Sequence, residues 1–199
     1  MRMARDISNQ DIHKDQFGVR AETLDAHGAV SEEVAREMAR AGRIVWRGLQ
    51  VRAQVEVPEA PARRWALARP DVFSIRNTSV AHYVEPVVHE VKVRRADLLG
   101  DLRRPAKRAA YLWLGQCWYV LGEDARGRPI AEPEEVPAEC GVLMARGERL
   151  VLARAAGRPL REELPFEVWM ALARATPEAA PEDAQGTLGA DEPPAPPAA

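Results

Sequence analysis

The run Val87-Val88-His89-Glu90-Val91-Lys92-Val93 constrains this chain more than any other segment. Strand side chains alternate faces, so Val88, Glu90 and Lys92 share one face and Val87, His89, Val91 and Val93 the other. Both faces are rich in valine, which predicts a central strand covered on both sides. An acid and an amine placed there must be paired or coordinating. A second apolar segment, Asp71-Val72-Phe73-Ser74-Ile75, leads into a polar turn at Arg76-Asn77-Thr78-Ser79. Asp71 and Glu90 stand 19 positions apart, a spacing that fits hairpin partners. If the two strands are neighbours, Asp71, Glu90 and Lys92 meet at one spot. Two carboxylates and an ammonium group there suit a hard divalent cation and an attacking water, and so favour phosphodiester hydrolysis.

At 199 residues the chain is long enough for one domain with a substantial core. The formal net charge of −2 excludes little, because the charges are unevenly spread. No run of about 18 apolar residues marks a membrane span. The start, Met1-Arg2-Met3-Ala4-Arg5-Asp6, leads into a polar stretch rather than a secretory signal. Cys117 and Cys140 form no dense framework and have no neighbouring Cys or His pair. They read as free buried thiols of a cytoplasmic protein, not as a disulfide or a structural zinc site.

Residues 1–28 are polar and read as a flexible arm, and residues 29–175 as the folded domain. Ser31 is expected to cap a helix with Glu32 and Glu33 in its first turn, Val34, Met38 and Ala41 on one face, and Gly42 as its stop. Leu49, Val51, Ala53, Val55 and Val57 alternate as a half-buried strand, broken by Pro58 and Pro61. After the two central strands come a helix over about Pro105 to Gly115, a strand at Trp118–Leu121, and a hairpin of Gly141–Met144 with Leu150–Ala153. A helix over about Pro165 to Arg174 follows. Residues 176–199 are acidic and rich in Pro and Ala, and read as a disordered tail. The order of elements predicts an α/β fold, a mixed β-sheet flanked by helices.

Mg²⁺ or Mn²⁺ takes oxygen ligands; Asp71 and Glu90 would supply two and the Val91 carbonyl a third. Lys92 would stabilise negative charge growing on a phosphoryl group. Each pattern alone has a plain reading: Glu-x-Lys in a strand is a common solvated pair, and Pro-Asp a common turn. A buried structural cluster in an unrelated α/β domain is a further reading.

Asp71…Glu90-Val91-Lys92 resembles the PD-(D/E)xK nuclease motif. The longer run from His89 to Asp101, with Lys107, Tyr111, Trp118-Tyr119-Val120 and Val136–Leu143, is similar to the MmcB-like DNA-repair group of that superfamily. The resemblance spans roughly Gln50 to Ala156. It implies a restriction-endonuclease-like core, Asp71 and Glu90 as metal ligands, Lys92 as the catalytic lysine, and DNA as substrate. The insert from Val57 to Asp71 and the loop Gly122–Glu135 are longer than that group leads one to expect. Glu56 could be an outer group, and Glu33 or Glu37 a further ligand, although acids early in a helix usually complement its dipole.

Arg94, Arg95, Arg103, Arg104, Lys107 and Arg108 crowd the segment after the motif. They read either as a phosphate-contacting face or as a solvated helix with internal pairing, with Asp97 and Asp101 capping or orienting the arginines. Tyr111 reads as a partner of Lys107 or of substrate. Trp113, Trp118 and Tyr119 read as core, and His89 as a core histidine turned away from Glu90. The expectation is therefore a metal-dependent nuclease, with a non-cleaving nucleic-acid scaffold of the same fold as the alternative. A homodimer would suit double-strand cutting.

Overall fold

The computed structural model describes residues 26–55, 64–159 and 163–179. Helix α1 spans residues 26–40. Strands β1 (Arg43–Arg47), β2 (Val51–Val55), β3 (Arg64–Ala68), β4 (Val72–Arg76) and β5 (Val87–Lys92) follow. Then come α2 (Arg95–Leu102), α3 (Pro105–Leu114), β6 (Gln116–Leu121), β7 (Gly141–Arg146), β8 (Arg149–Arg154) and α4 (Phe166–Leu172). Six strands form a mixed sheet in the order β1-β4-β5-β6-β7-β8. β4 runs antiparallel to β1 and to β5, whereas β5, β6 and β7 are parallel and β8 turns back on β7. β2 and β3 form a separate antiparallel pair packed on α3 and α4. The expected α/β architecture, a mixed sheet flanked by helices, is the one observed.

Two apolar layers enclose the sheet. On one face Val34, Ala35 and Ala39 of α1 meet Val45, Val72, Val91, Val120 and Ala145. On the other, Leu98 of α2, Tyr111 and Leu114 of α3, and Val168 of α4 meet Phe73, Val88, Tyr119 and Leu121. Every residue of β5 is buried, as the double-sided valine pattern requires.

Several local expectations differ. Ser31 does not cap α1: the helix already runs through residues 26–30, and Ser31 is buried within it. Val30 packs against the α1 layer and extends the apolar stripe one turn earlier. Gly42 does end the helix, with φ +74°, a backbone setting that glycine adopts at no steric cost. β1 escapes a periodicity reading because only Ile44, Val45 and Trp46 separate its two arginines. β3 lies in what reads as an insert: Trp65 and Leu67 face outward, while Ala66 and Ala68 pack in. Glu56, Val57 and the prolines after it lie outside the described residues.

Candidate functional site

β5 sets the site. Lys92 offers its carbonyl to the Gly122 N–H, on the β6 side. In a strand, a residue's N–H and C=O point to the same edge and alternate along the chain. Val91 therefore turns both polar groups to the β4 side. The ladder register, Val72 opposite His89, stops one residue short there, and Asp71 lies level with Glu90. The Asp71 carboxylate fills the gap: its Oδ2 accepts the Val91 N–H at 2.7 Å. His27, in the first turn of α1, brings its Nε2 within 3.3 Å of the same oxygen. This hydrogen bond outweighs the opposing effect of partial burial, and raises the His27 pKa above the usual histidine value.

Glu90 and Lys92 point to the α2/α3 side, where both are buried. Lys92 Nζ donates to Glu90 Oε1. Lys107 of α3 donates to the same oxygen and to Asp101 Oδ1, both at 2.5 Å. Lys92 Nζ lies 3.9 Å from Asp101 Oδ1. The Tyr119 hydroxyl donates to Asp101 Oδ2 at 2.7 Å. Two carboxylates and two ammonium groups thus form a closed, neutral network. Burial alone would raise the Asp101 pKa. The Lys107 hydrogen bond, the Lys92 charge and the Tyr119 hydroxyl outweigh it and hold the carboxyl below the usual range. Burial likewise opposes Lys107, but Glu90 and Asp101 carry its pKa above the usual lysine value.

One atom stands apart. Glu90 Oε2 is buried and has no hydrogen-bond partner. Tyr111 is buried beside Glu90, within hydrogen-bonding reach of its carboxylate, and its hydroxyl proton goes to the Arg69 carbonyl at 2.8 Å. Burial, then the Glu90 charge, push its phenol pKa upward. The oxygens free to hold a cation are therefore Glu90 Oε2, the second Asp71 oxygen and the outward Val91 carbonyl. Among the described residues no group of three His, Cys, Asp or Glu side chains is arranged for a metal, so any such ion would lean on that carbonyl and on water.

The basic residues do not gather into one face. Arg95 forms a two-pronged pair with Glu135, and Arg108 pairs with Glu139. Lys107 is taken up by the network. Arg103 and Arg104 are exposed between α2 and α3. Arg94 is half-buried at the end of β5. Asp97 is exposed on α2, and Asp101 turns inward to Lys107 rather than orienting an arginine. His82 is exposed, and His89 lies buried on the α1 side. Glu33 pairs with Arg36 on α1 and Glu37 with Arg40, away from Asp71. His27 carries no motif; Asp101 and Tyr119 lie within the segments that resemble the MmcB-like group, but nothing in the sequence pairs them with each other.

The family model that matches the chain is the CinA C-terminal domain, over residues 8–48. That stretch is about a fifth of the sequence and, within the described residues, covers α1, β1 and Gly48. No curated protein matches. A solved structure, "SPO1766 protein of unknown function" from Silicibacter pomeroyi, is 20% identical, with 71% of this chain and 77% of that chain covered and a TM-score of 0.45. The CinA match overturns the expected place in the MmcB-like PD-(D/E)xK group, and with it the nuclease and DNA-repair function drawn from that resemblance. The short Asp…Glu-x-Lys pattern that suggested it arises wherever a strand pair ends on an acid beside a buried ion pair. No helix among the described residues is long and apolar enough to cross a membrane.

Proposed function

We propose that the C-terminal end of β5 is the active centre of an Mg²⁺- or Mn²⁺-dependent enzyme acting on a phosphate ester, in the cytoplasm. The buried, unpartnered Glu90 Oε2 carries the proposal, because a carboxylate oxygen left without a donor in the interior is costly unless a ligand meets it. Asp71, Glu90 and the Val91 carbonyl would hold the cation, which lowers the pKa of bound water and polarises the ester. Lys92 would face the phosphoryl oxygens and stabilise the charge they gain. Lys107 holds Glu90 Oε1 and so fixes which oxygen stays open. Arg103 and Arg104 offer a negatively charged substrate two exposed guanidinium groups to meet.

The test is hydrolysis of bis(p-nitrophenyl) phosphate with Mn²⁺, Mg²⁺ or chelator. Metal-dependent turnover that falls by about 10²-fold or more in Lys92→Met, with the variant still folded by circular dichroism, is the expected result. Turnover unchanged by chelation or by Lys92→Met, or no turnover at any metal concentration, would refute the proposal.

A further inference from the structure

The end of β1, the β2/β3 pair and α4 leave an open groove of about 900 Å³ between them. Its walls carry Trp65, Leu67 and Phe166, which are 53%, 52% and 73% exposed, a concentration of apolar surface that calls for a partner. Arg52 and Arg174 also line it, and neither side chain has a partner among the described residues. Glu167 is the one acid on the rim.

The chain leads into this groove. Thr176 lines it, and two residues later the Glu178 N–H donates to the Val45 carbonyl at 2.8 Å, on the free edge of β1. The Glu178 carboxylate is held by Arg47, itself a groove residue, through contacts of 2.9 and 3.1 Å. After Ala179 the sequence continues for 20 residues with Glu182, Asp183, Asp191 and Glu192 and no basic residue. It includes the run Pro193-Pro194-Ala195-Pro196-Pro197.

We propose that the groove receives residues 180–199 of the same chain. Aromatic-lined grooves take proline-rich segments because the polyproline II helix is already extended and costs little entropy to bind. Arg52 and Arg174 complement the acids, and Glu178 fixes the point of entry. The 14 residue steps from Ala179 to Pro193 span up to about 43 Å at polyproline spacing, enough to cross the groove. The segment therefore covers the exposed aromatic surface in cis, and a partner would have to displace it.

The test uses the full chain labelled with ¹⁵N, with the Trp65 indole N–H assigned through Trp65→Phe. The comparison is a variant carrying Asp191→Lys, Glu192→Lys and Ser at Pro193, Pro194, Pro196 and Pro197. Docking in cis predicts that the Trp65 signal moves in this variant, equally at low and high protein concentration. A synthetic peptide of residues 180–199 moves it back. Arg174→Glu in the otherwise natural chain is expected to move the Leu188 amide signal. A Trp65 signal identical in both proteins overturns the inference. A difference that grows with protein concentration also overturns it, and places the segment of a second copy in the groove instead.

Discussion

At the scale of single residues, the site is an arrangement of buried charge whose members stand or fall together. Removing one partner of a buried pair leaves the other charge without compensation. Lys107→Met strips Glu90 Oε1 and Asp101 Oδ1 of a donor, and is expected to lower stability by about 2 kcal/mol, since Lys107 itself is partly exposed. Adding Asp101→Asn to that variant should recover part of the loss in urea unfolding. Full additivity of the two substitutions would show that they are not coupled. His89 makes a second, separate prediction. Burial, then the Arg43 charge, lower its pKa to about 3. It stays neutral in the folded protein while an unfolded histidine protonates below pH ~6.5. Its contribution is therefore intact above that pH, and is lost by about 1.4 kcal/mol per pH unit as pH falls toward 3. His89→Gln should flatten the fall in urea-unfolding free energy between pH 7 and 5 by that slope; an unchanged slope would count against a buried neutral imidazole.

At the scale of elements, the helix α3 must turn into β6 within one residue, and Gly115 makes that possible. A Cβ there would overlap the Pro86 carbonyl, which accepts the Gln116 N–H at 3.0 Å. The obstacle is backbone, so it cannot swing aside as a side chain would. Gly115→Ala is expected to destabilise the protein by about 2 kcal/mol or more, read from the urea midpoint, because the start of β6 must shift away from β5. The central strands, α3 and the closing hairpin were legible in the sequence because each carries its own periodicity. β1, β3 and α2 were not: each is short and begins on an arginine, so no apolar run marks its start. Arg43, half-buried at the start of β1, donates to Ser74 Oγ on β4 at 2.9 Å, a contact between residues 31 positions apart. The convergence of Asp71 with Glu90 could be read from spacing alone. The meeting of Asp101 with Tyr119, and of His27 with Asp71, could not, since these side chains arrive on different elements through crossovers and packing. Cys117 and Cys140 likewise become neighbours only through the parallel register of β6 and β7, where a mutual hydrogen bond and burial push the Cys117 thiol pKa up.

At the scale of the whole molecule, one sheet separates two environments. On the α1 side, Val34, Ala35 and Ala39 pack on the sheet beside the buried His89. The α2/α3 side carries the charged network. Asp71 stands where these layers meet, at the end of β4, held by Val91 from the sheet and reached by His27 from α1. A cation bound there would tie the two layers together, and binding to the native state alone must stabilise it. At about 100 times the dissociation constant the gain is about 2.7 kcal/mol. The most direct test is a Mn²⁺ titration of the full chain followed by electron paramagnetic resonance and thermal unfolding, beside Asp71→Asn and Glu90→Gln. The account predicts one ion per chain, a rise in Tm with metal, and loss of both in each folded variant. No ion bound by the natural chain, or equal binding in all three proteins, would contradict it.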